Sequence, residues 1–228
     1  MKRERIDGYL YLAKLFKSKG FNLYLVGGTV RDFLLKEDLN DMDLVTDATP
    51  IQMLPFLSGA DDTFAKYGYI KYTYKGIKYD ITTLRVESKY DDSRHPSKVK
   101  YVTSIKKDYV RRDFTINAMY LDSYFILYDY CNGQEDLKNK IIRFVGNPKK
   151  RIKEDPLRII RAIRFALFYG FSFDHKTEEA LKKYSYLLAK LNKDKIKEEV
   201  NKIKHVDVHL KQKLLKEFSI HQYIDVVE

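Results

Sequence analysis

A strand-like segment runs into a glycine pair, Gly27 and Gly28, and is followed by two aspartates with one residue between them, Asp41 and Asp43. If both aspartates lie on a second strand, the alternation of side chains places their carboxylates on one face of the sheet. Two carboxylates so close repel each other unless a cation lies between them, and Mg²⁺ accepts such oxygen ligands. The pattern predicts nucleotidyl or phosphoryl transfer, with Asp41 and Asp43 as catalytic residues and metal ligands.

The glycine pair predicts where a triphosphate binds. Gly27 and Gly28 let backbone N–H groups approach phosphate oxygens closely, at the start of a helix whose dipole favours anions. Arg31 follows one turn into that helix, where its guanidinium can bind phosphate oxygens in a bidentate way. The alternative role for Arg31 is an ion pair with its neighbour Asp32 on a solvated helix.

A third carboxylate, Asp80, lies in the second half of a predicted hairpin. If that strand lies beside the strand of Asp41 and Asp43, the three carboxylates could hold two Mg²⁺ ions. One ion would activate a hydroxyl and the other would hold the leaving pyrophosphate. The alternative is a polar residue on the solvent face of an edge hairpin.

A mixed segment farther along contains Arg112, Asp113 and Asn117. An Arg/Asp pair with an Asn could hydrogen-bond the hydroxyls of a ribose. The segment alone is equally consistent with a surface ion pair that opens a buried helix.

A helical segment that opens at Asp155 and Pro156 carries a candidate base-recognition pair, Asp155 and Arg158. Cytosine and adenine both present an exocyclic amine beside an unprotonated ring nitrogen, which a carboxylate and a guanidinium can pair with. Uracil and guanine present the reverse pattern and would leave buried charges unpaired. The pair therefore predicts a choice of CTP and ATP without a template, although Asp155 is also a good helix cap before a proline.

Arginines at 158, 161 and 164 recur every three residues in this helix. Such spacing gives a basic stripe along one side of the helix. Because the rest of the helix is apolar, Arg161 and Arg164 are expected to face a charged cleft, with Arg158, and to bind the nucleotide.

These side chains need an α/β framework to position them. Hydrophobic spacing predicts a helix over 6–17, a strand over 21–26, a short helix over 30–35 and a strand over 42–45. A capped helix should open at Thr49 and Pro50, followed by a hairpin of strands 69–74 and 77–86. Residues 87–100 are expected to form a mobile polar loop, with a strand or two near 120–128. From Pro148 onward the pattern is helical, and no strand is predicted.

The chain has 228 residues with 43 Lys and Arg against 32 Asp and Glu, a formal net charge of +11. Such an excess favours a polyanionic partner, most plausibly nucleic acid, although a generally lysine-rich surface would give the same number. The single cysteine, Cys131, excludes an internal disulfide, and no apolar run approaches the ~20 residues that span a membrane. We therefore expect a cytoplasmic protein with no membrane partner.

Several segments together resemble the bacterial and eukaryotic class of tRNA nucleotidyltransferases, the CCA-adding enzymes, and the related bacterial poly(A) polymerases. The resemblance runs from about residue 21 to 204 and is carried by GGTVRD with DMD, DITTLR, RRDFTINAM, GQEDLKNKIIRFVG and EDPLRIIRAIRFA. It implies an α+β fold, with a polymerase-β-like head of mixed sheet and flanking helices followed by a helical neck. The implied domains are a catalytic head over 1–140, a neck over 141–205 that recognises the base, and a short helical body remnant over 206–228.

The resemblance also implies roles for individual residues. Asp41 and Asp43 would bind catalytic Mg²⁺, and Arg112 and Asp113 would recognise the ribose. The other implied roles agree with those above: Gly27, Gly28 and Arg31 for the triphosphate, and Asp155 and Arg158 for the base. The polar stretch around His95 matches a flexible loop that accompanies addition of the terminal A.

The predicted activity is therefore template-independent addition of C and A to the 3′ end of tRNA, from CTP and ATP. A poly(A) polymerase, a specialist that adds only A or only CC, and a non-catalytic RNA-binding subunit are the alternatives. Members of the family usually continue into body and tail domains that grip the tRNA. A minimal enzyme, a catalytic fragment or half of a split enzyme would each fit this length, and a homo-oligomer or a C-terminal partner could supply the grip.

Overall fold

The computed structural model of the chain describes residues 2–88 and 98–223. The described strands are β1 Leu23–Val26, β2 Asp43–Thr46, β3 Tyr69–Tyr74, β4 Ile77–Thr83, β5 Arg85–Ser88, β6 Lys98–Tyr101, β7 Tyr120–Leu121, β8 Leu127–Tyr128, β9 Ile141–Ile142 and β10 Ser172–Phe173. The α-helices are α1 Lys2–Ser18, α2 Gly28–Leu34, α3 Pro50–Met53, α4 Ile105–Asp108, α5 Gly133–Lys138, α6 Pro148–Glu154, α7 Leu157–Tyr169, α8 His175–Tyr184, α9 Lys193–Asn201 and α10 Val208–Glu217. The predicted mixture of helices and strands is confirmed.

The chain divides into two compact units. The sheet unit comprises Met1–Glu87, Val99–Arg112 and Ile116–Gly133, and the helical unit comprises Ser88–Lys98, Asp113–Thr115 and Gln134–Glu228. The division by function into a head over 1–140, a neck over 141–205 and a remnant over 206–228 stays a prediction.

The sheet unit is built on a six-stranded mixed sheet in the order β3-β4-β2-β1-β7-β8. β2 and β4 run parallel, whereas β1 is antiparallel to both of its neighbours. In β4, the buried side chains of Tyr79, Ile81 and Thr83 alternate with the more exposed Asp80 and Thr82, as expected for a strand with one face in the core. This alternation places Asp80 on the face opposite the core residues.

Helix α1 covers the sheet with an apolar stripe that includes Tyr9, Leu12 and Phe16, each fully buried. The hydroxyl of Tyr9 lies within hydrogen-bond distance of the carbonyl oxygens of Leu23 and Leu121, at 3.1 and 3.2 Å. Tyr9 therefore ties α1 to neighbouring strands at the centre of the sheet.

The polar stretch predicted as a loop over 87–100 is partly strand. Arg85–Ser88 and Lys98–Tyr101 form β5 and β6, which pair in a two-stranded ribbon. The prediction of one continuous strand over 77–86 was also wrong, because β4 ends at Thr83 and the fully buried Leu84 separates it from β5. His95 and residues 89–97 lie outside the described residues.

The helical unit packs around α7, whose Ile159, Ile160 and Ile163 are fully buried. The prediction of no strand after Pro148 was wrong, since β10 pairs in parallel with β9. A two-residue strand is too short to leave a period in the sequence. The residues after α10 also join this core: Phe218 is 1% exposed and meets Phe173 edge to face at 5.4 Å.

Among the described residues, no helix is both long and apolar enough to cross a membrane.

Lys140 lies between α5 and β9 with a φ of +57°, a left-handed conformation that disfavours a side chain. We expect Lys140→Gly to raise the free energy of unfolding by about 1 kcal/mol, because glycine relieves that conformation. Urea unfolding measures the change. Lys140→Ala is the control: it removes the same charge but keeps the Cβ, so a similar gain from alanine would contradict the explanation.

Candidate functional site

The predicted site residues divide between the two units. The glycine turn, Arg31, Asn117, Arg112 and the three carboxylates belong to the sheet unit, and Asp113, Asp155, Arg158, Arg161 and Arg164 belong to the helical unit.

The glycine turn joins β1 to α2. Gly27 has a φ of +64°, which glycine adopts at little cost. A Cβ added at Gly27 would lie 3.5 Å from Oδ2 of Asp43, and one at Gly28 would lie 3.3 Å from a terminal nitrogen of Arg31. The turn therefore brings bare backbone close to both a carboxylate and a guanidinium.

Arg31 is held in place by two side chains. The residue is 6% exposed, and its guanidinium donates to Oδ1 of Asp32 at 2.9 Å and to Oδ1 of Asn117 at 2.6 Å. The ion pair with Asp32 does form, but with a buried arginine rather than on a solvated helix. Asn117 thus orients Arg31, and its predicted contact with a ribose stays a prediction.

Thr29 is a site residue that the sequence argument missed. Its hydroxyl donates to the carbonyl of Asp41 at 3.1 Å and accepts from the backbone N–H of Asp43 at 2.8 Å. These two bonds join the start of α2 to the turn that precedes β2. The available signal was a hydroxyl residue directly after a glycine pair, which is weak without the register of the strands.

The carboxylates are positioned by the parallel pairing of β2 with β4, in which Asp43 is the register partner of Asp80. The prediction that Asp80 lies on the neighbouring strand is confirmed. Asp41 differs from expectation, because β2 begins only at Asp43 and Asp41 is an exposed residue in the preceding turn. The hydrogen bond from the hydroxyl of Thr29, rather than pairing between strands, holds the backbone of Asp41.

The electrostatics around Asp43 are those of crowded negative charge. Burial, together with the nearby Asp80 and Asp41, raises the pKa of Asp43 from its ordinary 3.8 to about 6, against the opposing effect of Arg112 and Arg31. The hydroxyl of Tyr69 hydrogen-bonds Asp80. A divalent cation would relieve the repulsion that raises this pKa, so the donor set fits one.

Across the described residues, no group of three or more His, Cys, Asp or Glu side chains is arranged so that it could hold a metal ion. Asp41, Asp43 and Asp80 are thus neighbours without forming a closed three-ligand cluster. The assignment of metal ligands stays a prediction.

Arg112 belongs to a buried ionic network that the sequence argument also missed. Its terminal nitrogen lies 2.9 Å from Oδ2 of Asp108, a side chain with no exposed surface. Oδ1 of Asp108 lies 2.8 Å from Nε of Arg111, and its Oδ2 accepts from the hydroxyl of Tyr120 at 2.7 Å. The signal was the spacing of Asp108, which lies three residues before Arg111 and four before Arg112.

Asp113 pairs with an arginine of α7 rather than with Arg112. Its Oδ2 accepts from Nε of Arg161 at 3.0 Å, and its Oδ1 accepts from the backbone N–H of Phe114 at 2.8 Å. Burial alone would raise the pKa of Asp113, but Arg161 and Arg158 lower it to about 2. Asp113 is therefore ionised at neutral pH.

The arginine stripe of α7 lies against carboxylates of its own unit. Arg158 donates to Oε2 of Glu154 at 3.1 Å, Arg161 pairs with Asp113, and Arg164 lies 3.0 Å from Glu199. The expected charged surroundings are present, but they neutralise the stripe. Glu199, on α9, is a partner that the sequence pattern did not indicate.

Asp155 precedes α7, as predicted, and its Oδ1 accepts from the N–H of Leu157 at 3.1 Å. Arg158 is 8% exposed and also donates to the carbonyl of Arg151 at 3.1 Å. Both side chains are thus oriented by local bonds at the start of the helix.

Comparison with known proteins identifies relatives along most of the chain. Residues 23–143 match the poly A polymerase head domain. The chain is 44% identical over 184 residues to the CCA-adding enzyme of Lactobacillus helveticus and 40% identical over 184 residues to that of Bacillus pumilus, covering 81% of this chain and 46% of the relative in each case. The chain thus spans about half the length of the curated relatives it matches.

Solved structures give the same relationship. The Bacillus stearothermophilus CCA-adding enzyme in complex with CTP matches with a TM-score of 0.88 and 32% identity, over 96% of this chain and 54% of that one. The Thermotoga maritima CCA-adding enzyme complexed with tRNA matches with a TM-score of 0.76 and 28% identity, over 95% of this chain and 51% of that one.

Proposed function

This chain belongs to the family of the poly(A) polymerase head domain and has its polymerase-β-like α+β fold, and on that basis we propose that it adds C and A to tRNA 3′ ends. CTP and ATP are the substrates, and pyrophosphate is released. The observation that carries the proposal is the place of Asp43, partnered with Asp80 across two parallel strands and within reach of the glycine turn. The relatives named as CCA-adding enzymes support the choice of reaction.

The reaction joins the 3′-oxygen of the RNA to the α-phosphorus of the nucleotide, and the bond from that phosphorus to the pyrophosphate oxygen breaks. We propose that Asp41 and Asp43 hold divalent cations, two Mg²⁺, which when bound would assist deprotonation of the hydroxyl and neutralise the leaving group. Asp80 lies beside Asp43 and adds negative charge to the same site. The raised pKa of Asp43 supports this use of the carboxylates.

The triphosphate binds at the glycine turn in this proposal. Gly27 and Gly28 leave room for phosphate oxygens beside the backbone N–H groups, and Arg31 supplies a cation. Because Asp32 and Asn117 fix the guanidinium of Arg31, it is oriented before the nucleotide arrives. Such preorganisation favours the bound state without further ordering of the side chain.

Asp155 and Arg158 select the base, and Arg112 and Asp113 recognise the ribose. A carboxylate beside a guanidinium accepts and donates in the order that cytosine and adenine require, and it leaves charges unpaired with uracil or guanine. Arg161 and Arg164 act through their ion pairs, by holding Asp113 and α7 in place.

Arg158→Ala should reduce the preference for CTP and ATP over UTP and GTP by about 10- to 100-fold, because one buried hydrogen-bonding partner is lost. Single-nucleotide incorporation with each of the four triphosphates measures the preference. Lys153→Ala is the control, since this exposed lysine lies five residues before Arg158, on α6. Unchanged selectivity in Arg158→Ala would remove this residue from base recognition.

A poly(A) polymerase is the second candidate, and the description of the matched head domain favours it. The two activities differ in product length. We propose incubation with labelled CTP or ATP and three tRNAs, which end before the CCA, within it and one residue short of its end. Growth that stops at CCA supports the proposal, whereas long adenylate tails, or addition of only CC or only A, would replace it with the corresponding activity.

The proposed partners are the tRNA 3′ end and the two nucleotides, and the proposed location is the cytoplasm. The tRNA complex of the Thermotoga maritima relative supports the tRNA partner. A homo-oligomer or a separate C-terminal partner would supply contacts to the rest of the tRNA.

A further inference from the structure

Within the sheet unit, a polar cleft of about 320 Å³ opens beside Asp43. Besides Asp43, its walls include Arg85, Arg111 and Arg112, with Tyr67 and Tyr69. We call it the three-arginine cleft. The sequence argument gave no role to Arg85, Arg111 or Tyr67.

The three arginines line the cleft, and each forms an ion pair with a buried carboxylate. The side chains of Arg85, Arg111 and Arg112 are 19%, 15% and 13% exposed. Their partners Glu87 and Asp108 are 7% and 0% exposed. Three partly accessible guanidiniums offer N–H donors in a fixed planar geometry, which suits phosphate oxygens although Glu87, Asp108 and Asp43 balance their charge.

The positive charges of Arg85 and Arg111 repel each other. Burial and then the charge of Arg111 lower the pKa of Arg85, and Glu87 only partly compensates. Arg85 and Arg111 share that carboxylate, at 2.6 and 3.5 Å. A phosphate group bound in front of both would relieve their repulsion.

The cleft borders the glycine turn at Val26, Asp43 and Arg112. Of the described residues that line the cleft, none belongs to the turn at Gly27 and Gly28, and Arg31 is not among them. In an in-line transfer, the attacking hydroxyl and the leaving pyrophosphate lie on opposite sides of the α-phosphorus, so the two reactants approach the catalytic carboxylates from different directions. If the triphosphate lies at the turn, the neighbouring cleft is the place for the other reactant.

Tyr67 adds a feature that a triphosphate would not need. The residue is 56% exposed and lines the cleft with the arginines, and its backbone carbonyl accepts from Arg85 at 3.3 Å. An exposed aromatic ring next to guanidiniums suits an unpaired base followed by its phosphate, the usual combination in single-strand binding.

We propose that the three-arginine cleft binds a phosphodiester near the 3′ end of the acceptor RNA, with Tyr67 stacked on a terminal base. This assignment rests on the proposed function, which it deepens by naming the primer subsite. Arg85 and Arg111 contact the phosphate, and Asp108 and Glu87 position them.

The test measures binding without turnover. A fluorescently labelled single-stranded RNA that ends in CC is titrated with the full chain, without nucleotide or metal, at several salt concentrations. CTP binding is measured separately by calorimetry. Arg85→Gln is compared with Lys14→Gln, which removes the same charge from an exposed position on α1.

Arg85→Gln should weaken RNA binding about 5- to 10-fold and make the slope of log affinity against log salt less steep by about 0.7, the value for one single-strand phosphate contact. CTP binding should change by less than about twofold. Tyr67→Ala provides a second variant at an exposed position, so a folding defect in Arg85→Gln does not decide the result. It should weaken RNA binding severalfold and leave the salt slope unchanged.

The cleft would be reassigned to the triphosphate if Arg85→Gln weakened CTP binding and spared RNA. Equal effects of Arg85→Gln and Lys14→Gln, with none from Tyr67→Ala, would also overturn the proposal, since only general charge would be at work. If the wild-type chain bound RNA through Arg85 and Tyr67 yet transferred no nucleotide, the proposed function would fail while the RNA subsite remained.

Discussion

Asp43→Asn should lower nucleotide incorporation by a factor on the order of 10³ or more, because the carboxylate shared by both reactants loses its charge. Asparagine keeps the shape of the side chain and one acceptor oxygen, so a loss of this size would come from the charge. Primer extension with CTP on a tRNA lacking CCA measures the effect. Asp38→Asn, at an exposed position, is the matched control and should retain full activity.

The same substitution should stabilise the fold at neutral pH. The pKa of Asp43 is raised from 3.8 to about 6, about two units, which corresponds to at most about 3 kcal/mol of destabilisation at pH 7. A group whose pKa is raised in the folded state contributes its stability fully below the unfolded value and loses it as pH rises through the folded one. Wild-type stability should therefore fall between about pH 4 and 6 on account of Asp43, and Asp43→Asn should lack that component.

A loss of activity accompanied by a loss of stability in Asp43→Asn would contradict this explanation. Added Mg²⁺ should raise the melting temperature of the wild type more than that of Asp43→Asn, because a ligand stabilises the state that binds it.

Asp108→Ala should lower the free energy of unfolding by about 3–5 kcal/mol, because it leaves the charges of Arg111 and Arg112 buried without their carboxylate. Asp108 also accepts from the backbone N–H of Arg85 at 3.0 Å and from Tyr120, so several buried donors lose a partner. Urea unfolding measures the change. Asp38→Ala, on the surface, should stay within about 0.5 kcal/mol of the wild type.

The pH dependence of Asp108 has the opposite sign from that of Asp43. Burial alone would raise its pKa, but Arg111 and Arg112 hold it well below the ordinary value. The stabilisation is therefore present above about pH 4 and is lost as pH falls. If Asp108→Ala were as stable as the wild type at pH 7, the network would not hold these arginines in place.

The sequence predicts those parts of the site that are formed by residues close to one another in the chain. The glycine pair, the aspartates at 41 and 43 and the cap at Asp155 are local patterns with a physical meaning that does not depend on distant residues. The placement of Asp80 beside Asp43 was also accessible, because strand alternation and a hairpin signal limit where the carboxylate can lie.

The missed parts depend on contacts that are distant in sequence or on short elements. Thr29 acts through the turn at Asp41, and Glu199 lies more than one helix away from Arg164. Arg112 and Asp113 are adjacent in the sequence, which suggested that they act as a pair. In the structure, Asp113 pairs with Arg161 and Arg112 pairs with Asp108. Pairing of this kind is set by tertiary packing, which a local pattern does not encode.

The proposed reaction transfers the nucleotidyl group of CTP to RNA. The most direct measurement follows phosphorus labels from CTP carrying the label at either the α or the γ position, with a tRNA lacking CCA as acceptor. The α label should enter the RNA and the γ label should leave in pyrophosphate, in equal amounts. Transfer of the γ label to RNA, or its release as inorganic phosphate without RNA extension, would contradict it.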